Sequence, residues 1–102
     1  MNKGGFTYIM ANERPTLYVG VTNDLVKRVY EHKNNNGSFF TTRYNIHKLV
    51  YYECFDSIES AIIREKQIKD MNRIDKIKMI RNFNSQLKDL KDLYFQILDK
   101  PE

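Results

Sequence analysis

Cysteine is almost missing from this chain: Cys54 is the single one among 102 residues. An internal disulfide is therefore excluded, and a reducing cytoplasm is the compartment that suits the composition. Cys54 stands in the apolar run Lys48–Phe55, where a small buried side chain is expected rather than a nucleophile. Histidine is scarce too. His32 and His47 stand in no metal-ligand spacing with each other or with Cys54, which argues against a zinc site. No apolar run approaches membrane-spanning length and no segment has the pattern of a signal peptide, so a membrane is not among the expected partners. No internal repeat is visible, and low complexity is confined to the asparagines at 34–36. What the chain does have is positive charge, +4 net with a pI near 9.2, which favours an anionic partner, nucleic acid first.

The length fits one small domain. Phe6–Met10 and Thr16–Val21 are rich in aromatic and β-branched residues and read as strands. Asn12, Glu13, Arg14 and Pro15 between them carry turn chemistry, so a hairpin is predicted. Thr22, Asn23 and Asp24 supply caps for a helix from about Leu25 to Lys33, which the asparagines and Gly37 end. A loop through Tyr44 leads to a third strand, Lys48–Phe55. Asp56, with Glu59 three residues on, reads as the cap of a helix running through Lys69. Ile74, Ile77 and Ile80 mark a further helix face, and Leu87, Leu90, Leu93, Tyr94 and Ile97 a last amphipathic helix. The expectation is an α+β fold: a single domain with a three-stranded, mainly antiparallel sheet flanked by helices.

Glu65 is the residue that breaks the pattern. At about 100° per position, Ile58, Ala61, Ile62 and Ile68 share one helix face and Glu65 falls in the middle of it. A carboxylate there is costly unless a cation or a metal ion stands near. Arg28 and His32 are four apart, flanking the apolar stripe of Leu25 and Val29, and can both reach inward. Tyr8 and Tyr18 lie on the paired strands. They share a sheet face only if the pairing sets them in opposition through an odd loop or a bulge; a plain four-residue loop separates them. Each residue has a plainer reading: tyrosines at a core edge, solvated Arg28, a core-edge His32, and Glu65 as the ion-pair partner of Arg28 or Lys69.

Taken in order, Tyr8, Tyr18-Val19-Gly20, Arg28, His32, Glu65 and Asn84 resemble the GIY-YIG nuclease family, over most of the chain from about Phe6 to Asn84. The first motif keeps only its tyrosine, with Phe6 and Thr7 before it. The position that is lysine in the excinuclease C branch is Val21 here. The run from Tyr18 to Leu25 is similar to the small stand-alone bacterial branch, itself similar to the excinuclease C N-terminal domain, and to the catalytic subunit of eukaryotic junction-cleaving nucleases. The resemblance implies a nuclease-like domain over residues 1–84, with 85–102 a helix packed on it or on a partner. It also implies hydrolysis of a nucleic-acid phosphodiester with one divalent cation, Mg²⁺ or Mn²⁺.

By that resemblance Glu65 would ligate the metal, Arg28 would hold a phosphate oxygen, and Tyr18 would activate water with Tyr8 hydrogen-bonded nearby. A phenol with a pKa of about 10 needs help to act as a base at neutral pH, whereas His32 is the chemically easier base or a relay; the sequence leaves both open. Gly20 and Asn84 would support the site, Asn84 by tying the C-terminal segment to it. An ordinary capping asparagine is the equal alternative. Lys27, Arg43, Lys48 and Lys69 are the candidate nucleic-acid contacts, although solvated charge is the simplest account of each. The function implied is a metal-dependent DNA endonuclease, structure-selective, in repair or recombination, with RNA the other substrate. The alternatives are a nucleic-acid-binding module with little catalysis, and an interaction protein that docks a second copy or another partner on the Leu87–Ile97 face.

Overall fold

The computed structural model describes residues 4–34 and 39–90. The elements run β1 (Gly5–Ala11), β2 (Leu17–Thr22), α1 (Leu25–Lys33), α2 (Phe39–Arg43), β3 (Lys48–Phe55), α3 (Ile58–Asp70) and α4 (Arg73–Phe83). The three strands form one antiparallel sheet in the order β2-β1-β3. β1 takes the centre because six of its seven residues are buried, on both faces, and only a strand with two neighbours and two covered faces accommodates that.

Tyr8 and Met10 of β1 point to one face and pack with Leu25 and Val29 of α1, with Ile46 and with Leu49. Ile9 and Ala11 point the other way and pack with Val19, Tyr51, Ile68 of α3 and Ile80 of α4. Burying a side chain such as Leu25, Ile68 or Ile80 is worth about 1.5–3 kcal/mol, so the two apolar layers that clamp β1 supply most of the stabilisation. α3 lies against β1 and β2, and α4 against β3. No helix among the described residues is long and apolar enough to cross a membrane.

The hairpin resolves the parity question left open by the sequence. β1 and β2 pair from Phe6↔Thr22 to Ala11↔Leu17, leaving the five residues 12–16 as the loop. An odd loop sends Tyr8 and Tyr18 to the same face. They are diagonal rather than opposed, since Tyr8 pairs with Gly20 and Tyr18 with Met10. Asn12 organises the loop: its Oδ1 accepts from the Arg14 and Thr16 amides and its Nδ2 donates to the Tyr44 carbonyl. The Arg14–Pro15 bond is cis.

Several sequence expectations are corrected. The loop before β3 contains α2, whose five residues are too few to show a periodicity. The α3 cap is Ser57, not Asp56: the Ser57 hydroxyl accepts from the Ser60 amide. Ile74 is 70% exposed, because only Ile77 and Ile80 of that row turn toward β3. Cys54 is exposed, since it lies at the end of an edge strand beyond the cover of α1.

Leu87 and Leu90 are not helical. Asn84 caps α4, Leu87 has φ 50°, and the chain then runs beside β3, with the Leu90 amide donating to the Leu49 carbonyl and the Leu49 amide to Asp89 Oδ1. Leu87 joins the α4-side core and Leu90 packs on the α1-side core. Their spacing therefore wraps the open edge of β3 instead of marking a helix face, and residues 85–90 belong to the domain. Leu93, Tyr94 and Ile97, and the docking face they were expected to complete, lie outside the described residues.

Candidate active site

Two phenols and an imidazole meet above the β1–β2 pair. Tyr8 is 1% exposed, and its Oη lies 3.0 Å from Nε2 of His32. The Tyr18 ring centroid is 6.3 Å from that of Tyr8 and 5.4 Å from that of His32. Gly20 opposes Tyr8 for a steric reason. A Cβ there would stand 2.6 Å from both Cζ and Oη of Tyr8 and 3.0 Å from Cε2 of Tyr18. The missing side chain is the space the Tyr8 phenol occupies.

α1 brings the basic groups. Asp24 caps it by accepting from the Lys27 amide, and Leu25 and Val29 bury its apolar stripe, which turns His32 inward. His32 is buried, and its second nitrogen, Nδ1, lies 3.0 Å from the hydroxyl of Thr41 in α2. Burial first, and the Arg28 guanidinium second, hold the imidazole below its ordinary pKa, so it is neutral near pH 7. A neutral ring carries one proton. Either Tyr8 donates to Nε2 while Nδ1–H donates to Thr41, or Nε2–H donates to Tyr8 while Thr41 donates to Nδ1. With both nitrogens engaged, His32 is placed to orient Tyr8 and not to meet solvent water directly. Burial raises the Tyr8 phenol well above its usual range. Tyr18 adds to that rise, Arg28 opposes it, and the charges of Glu31 and Glu65 push it further up. Arg28 itself is partly exposed, with Nε 3.3 Å from Glu31 on the next turn.

Glu65 comes from the other side of the sheet. Its side chain is 14% exposed and pairs with Lys69 Nζ at 2.8 Å, so the cation demanded by its buried position is Lys69 rather than Arg28. The Thr7 hydroxyl donates to the Ala61 carbonyl at 2.7 Å, which pins α3 to β1 one turn before Glu65. β2 is an edge strand, and a cleft of 340 Å³ opens along it. Leu17, Tyr18 and Val19 form its floor, Phe40 stands on the α1 side, and Lys69 and Lys76 on the α3–α4 side. The Glu65 carboxylate is thus one ion pair away from a cleft that also exposes Tyr18.

The remaining expected residues are dispersed. Lys27 is exposed and lines a smaller depression with Thr22, Asn23, Asp24, Arg28 and Glu31 at the start of α1. Arg43 lies over the Tyr44 ring at 5.7 Å. Lys48 sits on β3, across β1 from the cleft, and is engaged by the Leu87 carbonyl and Glu13. Asn84 is the C-cap of α4, the capping alternative named for it, and its amide also bonds the Val50 carbonyl and the Lys88 backbone, which fastens the C-terminal segment to β3. Thr41 was missed because a lone threonine in an undetected short helix gives no sequence signal of contact with a histidine nine residues earlier.

Among the described residues no three His, Cys, Asp or Glu side chains gather in a metal cluster. That arrangement does not suit a zinc cage. A hard cation that keeps most of its waters and takes one carboxylate plus substrate oxygens fits the donor set of Glu65 alone.

The GIY-YIG catalytic domain matches residues 4–78 of this chain, a span that holds Tyr8, Tyr18, Gly20, Arg28, His32 and Glu65 but ends before Asn84. A UPF0213 protein of Haloquadratum walsbyi is 37% identical over 73 residues, which cover 72% of this chain and 82% of that protein. A UPF0213 protein of Staphylococcus saprophyticus is 36% identical over 75 residues, covering 74% of this chain and 92% of the relative. The solution NMR structure of a UPF0213 protein from Bacillus halodurans aligns with a TM-score of 0.49 and 26% identity, over 76% of this chain and 82% of that one.

Proposed function

Since this chain belongs to the GIY-YIG family, we propose that it is a metal-dependent DNA endonuclease that hydrolyses phosphodiesters, selects its substrate by structure, and serves repair or recombination. The observation that carries the reading is the packing of Tyr8, Tyr18 and His32 over Gly20, with Arg28 on the adjoining helix and Glu65 paired to Lys69, which lines the cleft along the same edge strand. An ordinary core has no reason to bring two phenols, a neutral imidazole and a partly buried carboxylate to one open edge.

Each group has a distinct task in this mechanism. Tyr18, the phenol that lines the cleft, would act in its phenolate form: its own Oη proton passes to solvent first, and the same oxygen then takes one proton from the attacking water as that water's oxygen bonds to phosphorus. Tyr8 stays protonated and keeps its Oη on His32, which fixes the phenol pair in place; Thr41 holds the far side of the imidazole. Arg28 binds a non-bridging phosphate oxygen and stabilises the charge that builds there. Glu65 would hold a divalent cation, Mg²⁺ or Mn²⁺, which when bound supplies positive charge at the phosphate and the leaving oxygen. Among the described residues no base-reading element stands at the edge, and selection by backbone and shape is the mode that fits them.

Purified protein with Mg²⁺ or Mn²⁺ is expected to nick branched or single-stranded DNA, and Glu65→Ala to abolish nicking; equal cleavage by that variant would overturn the proposal. The Glu65–Lys69 ion pair favours a second reading, a binding module whose carboxylate is already satisfied. Lys69→Met separates the two. Nicking that survives or rises with a lower metal requirement supports the enzyme, whereas DNA binding without nicking in both wild type and Lys69→Met supports the module.

A further inference from the structure

A row of aromatic rings leads out of the candidate site and ends in solvent. The Tyr18 ring is 6.2 Å from that of Phe40, and Phe40 is 4.8 Å from Tyr44. Phe40 is 40% exposed, Tyr44 42% and Phe39 80%, so a single short helix and the residue after it display three aromatic side chains to water. Leaving that much apolar surface uncovered costs about 25 cal/mol per Å², which marks the patch as a contact surface.

The mount beneath the rings is firmly held. The Thr41 side chain is buried against His32, and the Ile46 amide donates to the Thr41 carbonyl at 2.9 Å. Ile46 itself is in the core, and Asn12 Nδ2 holds the Tyr44 carbonyl at 2.8 Å. The surroundings are cationic: Lys69 and Lys76 line the same cleft as Tyr18 and Phe40, and Arg43 lies over the Tyr44 ring. Flat rings interleaved with ammonium and guanidinium groups match one polymer, a strand that offers unpaired bases and phosphates together.

We propose that α2 is a base-stacking platform, on which Phe40 and Tyr44 take unpaired bases of a DNA strand whose backbone passes Tyr18 between Lys69, Lys76 and Arg43. The inference rests on the proposed nuclease function and deepens it: the substrate must present unpaired nucleotides beside the scissile phosphate. A fully paired duplex keeps its bases stacked on each other and cannot use these rings.

Binding is measured without divalent metal, so it is read apart from cleavage. The probes are labelled oligothymidine of about fifteen nucleotides, an abasic strand with the same number of phosphates, and a duplex of matching charge. Phe40→Leu and Tyr44→Leu keep apolar bulk and lose the π face. Each is expected to weaken oligothymidine binding about tenfold and to change abasic and duplex binding by less than about twofold. Lys76→Gln should weaken all three and flatten the salt dependence. The chain contains no tryptophan, so Phe40→Trp introduces a single indole. Its fluorescence should be quenched by oligothymidine and not by the abasic strand. Equal losses on all three probes, or quenching by the abasic strand as well, would overturn the platform. Absence of nicking by the wild-type protein with Mg²⁺ or Mn²⁺, with the binding pattern as expected, would instead sink the hydrolase reading and leave the platform standing.

Discussion

Replacing Gly20 by alanine tests the geometry on which the candidate site depends. The added methyl would lie 2.6 Å from Cζ and Oη of Tyr8 and 3.0 Å from Cε2 of Tyr18, well inside van der Waals contact. A clash with the tip of a mobile side chain is cheap to relieve, but Tyr8 is not mobile. It is sealed in the α1-side core and its Oη is bonded to His32. Overpacking of this kind costs about 1–3 kcal/mol. Swinging the phenol away also breaks a buried hydrogen bond and leaves the imidazole unsatisfied, roughly 1–3 kcal/mol more. The sum, about 2–6 kcal/mol, is a large part of the 5–15 kcal/mol a domain possesses, and corresponds to a melting temperature roughly 8–48 °C lower. Urea unfolding followed by circular dichroism reads the value. The cost should fall by about half or more when Gly20→Ala is made in a Tyr8→Leu background, because the ring that fills the space is then gone. A Gly20→Ala penalty below about 0.5 kcal/mol, or one unchanged by Tyr8→Leu, would refute the claim that this glycine is empty space reserved for a phenol.

Other outcomes follow from the same coordinates. His32 has a folded pKa below its unfolded value because of burial and Arg28. The unfolded chain therefore binds more protons just below about pH 6.5, and stability that is complete above that pH declines as acid is added. His32→Gln should flatten the acid limb of a stability-versus-pH curve, and an unchanged limb would show that the imidazole is not held neutral. Arg28→Ala should reduce turnover by about 10²–10³ while leaving DNA affinity nearly unchanged; matched losses in turnover and affinity would make Arg28 a docking residue instead. Thr7→Val keeps the shape and removes the hydroxyl that bonds the Ala61 carbonyl. It should cost about 1 kcal/mol in chemical denaturation and lower nicking further by loosening α3 before Glu65, and wild-type behaviour in both would dismiss Thr7 as an anchor.

Much of the chain was legible before folding because its signals are local. Alternation and β-branching mark the strands, Asp24 and the asparagines bound α1, and β3 spans the residues expected of it. Glu65 stood out because a charge interrupts an apolar period, and its low exposure follows from that position. Where the reading slipped, the deciding interaction was either short or distant. α2 has too few residues for a period, Ser57 competes with Asp56 one position away, and Leu87 and Leu90 share a helical spacing while covering two sides of the β3 edge.

Sequence alone determined which chemical groups this protein has to work with and the elements that carry most of them, since caps, periodicity and ordered motifs act over a few residues. Only the tertiary structure decided where those groups meet. A five-residue loop puts both tyrosines on one sheet face, and the packing of α2 sets Thr41 behind His32. At the exposed edge of β2, Lys69, the ion-pair partner of Glu65 from one side of the sheet, lines the same cleft as Tyr18 from the other. Those relations depend on parity, register and layer packing, which are properties of pairs of elements and are written in no single stretch of chain.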